Sequence, residues 1–499
     1  MKYTSLRITQ PAWNRLCKHL FRSDGLEHLA FLPVGTSENQ KGDELLAGDV
    51  YIVNDHDLVG GPAEYHLEPT PEAFVGVINR AVKAGIGLVE VHNHPFTTGR
   101  CSFSRSDWAG FREVVPYAIS SLRVPVYGAV VMGSEDNADG VLWTGTGNEH
   151  RVIDRLHVVG SNPLTVQTSS STLGPMKAAT ISSDALARFD RQVRAFGKEG
   201  QARLATLSVA LVGLGGIGGI VAEELARMGV GRFVLIDHDI AESTNQNRLP
   251  GLSIEDVAAG RLKVEVARRQ INIANPDAVV EIVPAKVFNR EAIEALASVD
   301  LIVCGTDDSA SRYAVNEIAL AYLRPYVDIA TGIPTENGKL AGIGGRYTFT
   351  FPGSGCLLCA QAIDPAEAAA EFSPAEVRRA QERDGYIQGS TEPAASVMPL
   401  NALVTSQAVF EVLAWVTGIR PPIQQRLFDA LQGTVDCVTF VPNPHCIPCT
   451  ENIGRGDLGE LPQKYSRWAS PRAVAARSHA RKGLAKWILG RLRFPGRNM

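Results

Sequence analysis

The sequence predicts an α/β protein of two units in series, an N-terminal α+β unit and then a parallel-sheet unit. Three observations carry this. Ser208 to Val212 is an apolar run the length of one buried strand, and it ends in Gly213-Leu-Gly215-Gly216-Ile-Gly218. Glycines there let the backbone turn sharply and approach a phosphate. Gly219 to Met228 has helical spacing, and Arg232 to Ile236 is a second apolar run ending in Asp237. The helix start aims free N–H groups at an anion in the loop, and the acid lies where a ribose hydroxyl is held. Residues 1–165, in contrast, mix strand-like and helical runs and carry no phosphate loop.

Composition narrows the class. Of 499 residues, 45% are hydrophobic and 20% charged, with a net charge of −4, ordinary values for a globular protein and no global sign of nucleic-acid binding. The N-terminus has no apolar core of the signal-peptide kind, and no run of about 18 apolar residues occurs, so a cytoplasmic protein without a membrane span is expected. Eight cysteines are few for this length, and four fall in two C-x-x-C pairs. In a reducing compartment that argues metal before disulfide.

In chain order, Leu29 to Leu32, Asp49 to Val53, Gly87 to Val91 and Val124 to Met132 read as strands, and Pro71 to Ala84 as a helix. The chemistry-bearing stretch is Val91-His92-Asn-His94-Pro95, followed by Ser104-Arg-Ser-Asp107. His-x-His places two imidazoles on one side of an extended strand. An aspartate on the next turn completes a three-ligand zinc set with an open position. Alone, such a His pair is more often a surface feature; the nearby Ser-x-x-Asp makes that reading weaker. The pattern resembles the JAMM (JAB/MPN) metallopeptidases, which cleave after the C-terminus of a ubiquitin-like protein. The resemblance implies that His92, His94 and Asp107 bind Zn²⁺. It further implies Glu27, on a strand before Gly35, as general base and Ser104 as an oxyanion donor.

Residues 166–182 are rich in Ser, Thr, Pro and Gly and read as a linker. Residues 183–455 form the nucleotide unit. A lone glycine motif most often marks an NAD- or FAD-dependent oxidoreductase. Here, however, Asp237-His238-Asp239 is followed by Asn245-Gln-Asn247-Arg248, then Lys263, then Thr306-Asp307-Asp308. Hydride transfer has no need of that series; splitting ATP needs cations, orienting amides and a carboxylate for Mg²⁺.

The series resembles the ThiF/MoeB and ubiquitin-activating family, which adenylates the C-terminal glycine of ubiquitin-like proteins, and the likeness runs from about Leu186 to Thr450. It implies a Rossmann-like adenylation domain with a structural zinc, and the following roles. Gly213, Gly215, Gly216 and Gly218 cradle ATP. Asp237 and Asp239 face the ribose and metal region. Asn247, Arg248 and Lys263 meet the phosphates, and Asp307 binds Mg²⁺. Arg191 matches the arginine passed across a homodimer to the partner's ATP. Singly, each has a bland alternative: Lys263 as a solvated helix charge, Asp307 as a helix cap.

Cys356-Leu-Leu-Cys359 and Cys446-Ile-Pro-Cys449 read as a closed tetrahedral zinc site, with a redox dithiol as the alternative. Between them, residues 363–399 occupy the place of the family's crossover loop, where a thioester cysteine often sits, and contain none. Cys304 and Cys437 read as core. Serine or threonine acceptors such as Ser390 or Thr391 would give an oxyester. Residues 456–499 read as a basic tail; from Lys464 on it holds ten Lys or Arg and no acid.

The expectation is a bifunctional enzyme, adenylating a ubiquitin-like protein and trimming its precursors or conjugates with zinc. Its partners would be that carrier and a conjugating-enzyme-like cysteine protein. Activation of a sulfur-carrier protein, a zinc-stabilised scaffold without activity, and an oxidoreductase are the alternatives.

Overall fold

The structure, a computed structural model, describes residues 3–39, 42–64, 67–145, 147, 149–173, 183–336, 339–373, 376 and 395–469. The first sheet has ten strands: β1 (Tyr3–Thr9), β2 (Leu29–Asn39), β3 (Gly42–Ala47), β4 (Tyr51–Ile52), β5 (Gly87–Asn93), β6 (Val126–Ser134), β7 (Asn137–Thr144), β8 (His150–Val152), β9 (Arg155–Val159) and β10 (Leu164–Gln167). Their order is β10-β9-β1-β3-β2-β5-β6-β7-β8, with β4 beside β2. Helices α1 (Gln10–Leu20), α2 (Pro71–Ala84) and α3 (Arg105–Ser121) cover it. The helix expected over Pro71 to Ala84 is present with those bounds. Thr70 caps its start through Ala73 N–H, Pro71 occupies the first turn, and Gly85 ends it in the left-handed region.

The second sheet comprises β11 (Ser208–Val212), β12 (Arg232–Ile236), β13 (Val279–Val283), β14 (Leu301–Cys304) and β15 (Tyr326–Gly332), all parallel. After a small hairpin of β16 (Thr335–Glu336) and β17 (Lys339–Leu340), it continues antiparallel through β18 (Gly344–Thr350), β19 (Gln425–Asp429) and β20 (Thr434–Val438). The strand order is β13-β12-β11-β14-β15-β18-β19-β20. The chain therefore winds outward from β11 in one direction and returns to build the other side from β14. Ligands of such sheets sit at that reversal, beyond the carboxyl ends of the strands.

Helices follow in the order α4 (Ser183–Arg188), α5 (Asp190–Thr206), α6 (Gly216–Arg227), α7 (Ile254–Ala258), α8 (Lys263–Ala274), α9 (Arg290–Ala297), α10 (Ser309–Ala321), α11 (Pro365–Glu371), α12 (Met398–Thr417) and α13 (Leu461–Tyr465). Val209 and Leu211 of β11 join the core with α6, α8 and α12, while Ala210 and Val212 join the opposite core with α9 and α10. Both faces of β11 are covered, which is why its sequence is a continuous apolar run rather than an alternating one.

α12 is long and apolar enough by length and composition to cross a membrane. It packs instead against α6, β15 and β18, and carries a buried Glu411 bonded to Arg420 at 2.7 Å.

Three readings of the sequence differ from what the fold shows. Cys437 is exposed, not core, because β20 is an edge strand with one neighbour. Of the stretch read as a linker, Gln167 ends β10, and Thr168 and Thr172 are bonded to Asp154 or its backbone carbonyl. Of the stretch read as a tail, residues 456–468 pack against the rest. Leu461 and Tyr465 are in the core, and the Tyr465 hydroxyl and Lys464 ammonium bond the buried Glu317.

The two sheets are locked together. Gly456 bridges to Thr36 of β2, and Asp457 accepts from Glu38 N–H at 2.9 Å and from the Tyr322 hydroxyl at 2.9 Å. A Cβ on Gly35 would lie 2.1 Å from the Gly454 carbonyl, so only glycine permits this approach. Beneath the seam, Glu44 of β3 accepts from Arg7 of β1 at 2.9 Å and from the fully buried Arg324.

Candidate functional sites

In the N-terminal unit, β5 brings His92 into position and ends just before His94. Capping fixes the rest. Ser104 is the N-cap of α3: its Oγ accepts from Asp107 N–H at 3.1 Å, and Asp107 Oδ2 accepts from Ser104 N–H at 2.6 Å. This reciprocal cap turns Asp107 toward the histidines. His92 Nε2 lies 3.6 Å from Asp107 Oδ1, His94 Nε2 lies 3.4 Å from Asp107 Oδ2, and Glu27 Oε1 lies 3.7 Å from His94 Nε2. The ligand atoms of His92, His94 and Asp107 all fall within 4.8 Å of one another.

The electrostatics agree with the geometry. Burial works against an ionised Asp107, but the neighbouring His92 and His94 imidazoles outweigh it and hold the carboxyl well below the usual range. Burial likewise works against a charged His92, and Asp107 outweighs it and raises the imidazole. His92 Nε2 is buried without a hydrogen-bond partner, a group that a metal ion would satisfy. The donor set, two imidazoles and a carboxylate, suits zinc.

Glu27 lies just ahead of β2 rather than on it, bridged to Ala63. Asn93 holds that segment, accepting from His28 N–H at 2.7 Å and donating to the Leu26 carbonyl at 3.1 Å. Neither Asn93 nor Glu90, which accepts from the Tyr127 hydroxyl, was identified from sequence; Asn93 sits inside the His-x-His motif and was passed over as the spacer. Ser104 lines the cleft, yet its Oγ is engaged by Asp107 N–H and Ser106. Its evident work is to orient Asp107.

In the second unit, a cavity of about 390 Å³ opens at the sheet's reversal point. Gly213, Gly215, Gly216, Asp237, Asp239, Arg248, Lys263 and Asp307 line it. Gly213 has φ +81°. Gly218 does not line the cavity. A Cβ there would lie 1.9 Å from the Gly213 carbonyl, so its glycine serves the close packing of α6 on the loop.

Asp237 closes the loop from below, accepting from Leu214 N–H at 2.7 Å and Asp239 N–H at 2.8 Å. Burial raises its carboxyl above the ordinary range. Lys263, at the start of α8, bonds Asp239 at 2.7 Å; burial disfavours its charge, but Asp237 and Asp239 prevail and raise it. It is an interior cation at a nucleotide-sized cavity, not a solvated helix charge. The capping alternative for Asp307 also fails: Asp308 caps α10, accepting from Ser311 N–H at 2.6 Å, and Asp307 stays exposed to the cavity.

Two expected residues lie elsewhere. Asn247 is exposed and accepts from Arg248 at 3.1 Å, while Asn245 lines the cavity. Arg191 is exposed on α5 and is not among the lining residues. Sequence reading missed Arg312, Thr331 and Asn401, which complete the wall. Arg312 donates twice to the Thr306 carbonyl, at 2.9 and 2.6 Å, and Asn401 accepts from the Thr331 hydroxyl at 2.8 Å. These residues are distant in sequence and belong to no local motif. The signal that could have found them was the apolar spacing of α12, which places Asn401 at a core position.

Cys356, Cys359, Cys446 and Cys449 converge, with Sγ–Sγ separations of 3.9, 3.6 and 3.8 Å for the 356–359, 356–446 and 359–449 pairs. A tetrahedron with Zn–S bonds of about 2.3 Å has edges of about 3.8 Å. The four thiols thus fit a closed zinc site better than a dithiol pair. Ser390 and Thr391 lie outside the described residues, as does most of 363–399.

Comparison with known proteins adds four findings. The model of the ThiF family matches residues 189–447. A sulfur carrier protein adenylyltransferase of Thermus thermophilus is 30% identical over 277 residues, covering 55% of this chain and 94% of that protein. A SAMP-activating enzyme E1 of Haloferax volcanii is 28% identical, covering 54% of this chain and 92% of that protein. Among solved structures, E. coli MccB with ATP aligns at 20% identity and a TM-score of 0.43, over 52% of this chain and 74% of that one.

Proposed function

The chain belongs to the ThiF family of adenylyltransferases, and from that premise we propose that it uses ATP·Mg²⁺ to adenylate the C-terminal glycine of a ubiquitin-like or sulfur-carrier protein. One observation carries the reading: a single cavity gathers the glycine loop, Arg248, Lys263 and Asp307 at the carboxyl ends of the parallel strands. In the reaction, a carboxylate oxygen of the carrier attacks the α-phosphorus of ATP, an acyl-phosphate bond forms, and pyrophosphate leaves. The N-terminal turn of α6 and the two cations offset the phosphate charge, and Asp307 offers a carboxylate to Mg²⁺. The test is carrier-dependent exchange of pyrophosphate into ATP. Asp307→Ala should abolish it, and normal exchange in that variant would sink the assignment.

The acyl group then goes to a separate protein, by the same proposal. No cysteine lies in 363–399, Cys17, Cys101 and Cys304 are buried, and Cys437 does not line the cavity. A conjugating-type protein with its own cysteine fits this arrangement. Incubating enzyme, ATP and carrier alone should give no thiol-sensitive adduct; such an adduct, lost on Cys437→Ala, would make Cys437 the acceptor. An adduct resistant to thiols and sensitive to hydroxylamine, mapping to Ser390 or Thr391, would mean an oxyester. In the sulfur-carrier alternative, the carrier would instead be recovered as a thiocarboxylate.

For the N-terminal unit we propose a zinc-dependent peptidase acting next to the carrier's C-terminal glycine. The orphaned, buried His92 Nε2 beside His94 and Asp107 supports it. Zinc held there supplies Lewis acidity toward water and the scissile carbonyl. Glu27, at the cleft and near His94, is placed to take the proton of the attacking water and return it to the leaving amine. Cleavage of a carrier extended beyond its glycine, lost in Glu27→Gln with zinc retained, is the expected result. Cleavage surviving in that variant would remove Glu27 from the role.

A further inference from the structure

The cleft that opens on His92 has a volume of about 620 Å³ and an uneven distribution of charge. Five carboxylates line it, contributed by four separate pieces of chain. Glu27 precedes β2, Glu68 lies in the loop before α2, Glu90 is on β5, and Asp107 and Glu113 lie on successive turns of α3. Among the described residues, no Lys or Arg lines it. His92 lines this cleft, is 5% exposed, and its buried Nε2 has no hydrogen-bond partner, the Asp107 carboxylate standing 3.6 Å away, which marks it as a place built to receive a ligand rather than an accidental meeting of acids.

The peptidase reading uses Asp107 as a ligand and Glu27 as a base. That leaves Glu68, Glu90 and Glu113 without a catalytic task. Glu90 is anchored by the Tyr127 hydroxyl, so its position is set by the sheet, whereas Glu68 and Glu113 are exposed at the rim. Leu67, Phe74 and Phe96, the last 45% exposed, line the same cleft. Carboxylates set among apolar and aromatic side chains suit one chemistry. A lysine or arginine lays its methylene stem on the apolar wall, brings its cation over an aromatic face, and reaches a carboxylate with its head.

We infer that this cleft selects a polypeptide carrying basic side chains within a few residues of the scissile bond, and rejects an acidic one. The inference rests on the peptidase reading for what is cut, but the selection is a property of Glu68, Glu90 and Glu113 themselves. Attraction between partly solvated charges amounts to a few-fold each and is screened by salt. Two or three such contacts therefore give a preference of about tenfold at low ionic strength, shrinking as salt is added.

The experiment uses the full chain and three fluorescent peptides of equal length containing a Gly–Gly sequence, flanked by Lys and Arg, by Ala, or by Glu. Anisotropy gives their affinities, measured both on metal-free and on zinc-loaded protein, at low and high salt. The basic peptide should bind about tenfold tighter than the neutral one at low salt and the acidic peptide weakest. Glu68→Lys with Glu113→Lys should invert that order. Equal affinities, or an order untouched by the double substitution, would overturn the inference. Cleavage of the same peptides is scored separately. Zinc-loaded protein that cuts none of them counts against the peptidase reading, while the order of affinities still decides the charge selection.

Discussion

Asn245 and Asn247 are two residues apart and stand in opposite situations. The turn at Ser243–Asn245 folds Asn245 inward, where its Oδ1 accepts from Glu242 N–H at 3.0 Å and its side chain borders the nucleotide cavity. Asn247 is exposed and accepts from the Arg248 guanidinium at 3.1 Å. A polar series in the sequence shows that an amide belongs here without showing which one, because a short turn carries no periodicity to assign inside and outside. Asn245→Ala should therefore lower kcat/KM for pyrophosphate exchange by about 10- to 100-fold, the loss of one or two positioned hydrogen bonds. Asn247→Ala should stay within about twofold, as surface substitutions do. The reverse ranking would return Asn247 to the phosphates. Gly218 raises a different issue at the same scale. Its missing side chain is needed by the Gly213 carbonyl, not by ATP. Gly218→Ala should thus reduce thermal stability as well as exchange, and an alanine variant of unchanged Tm would contradict the packing role.

Whole elements were legible where sequence pattern and environment coincide. β11, α6 and β12 could be read because both faces of the strands are buried and the glycines fix the turn between them. The edge strand β20 was misread because Val435 and Cys437 give it a β-like pattern in which burial of neither is specified; edge and centre differ only in partners that the local sequence does not contain. Residues 456–468 were masked by the charge of the chain beyond them, and their anchors, Leu461 and Tyr465, are too few to register as a helix. Strand β1 was not read because its neighbours, β3 and β9, come from elsewhere in the chain. In the sites, contiguous motifs were legible and the distant Arg312, Thr331 and Asn401 were not, since only the fold brings them together. The two clusters of metal-binding type differ as elements, and that difference can be measured. The four cysteines join the loop before α11 to the turn after β20, over a sequence separation of 90 residues between Cys356 and Cys446. The histidine pair lies on one strand end. Metal analysis should find two zinc ions per chain in the wild type and one in His92→Ala, with its Tm nearly unchanged. Cys446→Ser should also leave one, but with a marked loss of stability, because a closed site contributes to folding directly. One zinc in the wild type, unaltered by His92→Ala, would remove the N-terminal site.

At the scale of the molecule, two arrangements matter: how copies meet and how the two units of one copy are held. Arg191 is exposed on α5 and is not among its own chain's cavity-lining residues; the role we propose for it at the phosphates therefore needs a second copy, a homodimer. Arg191→Ala should depress exchange, and an active monomer by light scattering at micromolar concentration would contradict the exchange of arginines. Within one copy, the seam between the sheets rests on Glu44. Burial disfavours its charge, yet Arg324 and Arg7 outweigh this and hold its carboxyl at about 2, against an ordinary 4.5. Because the folded value is depressed, this contribution is complete above pH 4.5 and is lost as pH falls toward 2. His157, on β9 near Arg7, acts over a higher window. Burial and the Arg7 charge lower it from 6.5 to about 3, so the unfolded chain binds a proton there first and stability declines as pH falls from 6.5 toward 3. Acid should therefore loosen the seam in two overlapping stages, and His157→Gln should flatten the upper one. The stronger test removes one partner of the buried pair and then both. Glu44→Leu leaves the Arg324 guanidinium buried at 1% exposure with its principal carboxylate gone, a situation that costs about 3–5 kcal/mol. Adding Arg324→Met removes that uncompensated charge, and an apolar pair of similar volume is close to neutral. The double variant should then be more stable than the single one in urea unfolding of the full chain, with a large coupling energy between the two sites. Additive losses would mean that Glu44 and Arg324 stabilise their own units separately, and that the seam is held by its other contacts, such as those of Gly456, Asp457 and Arg455.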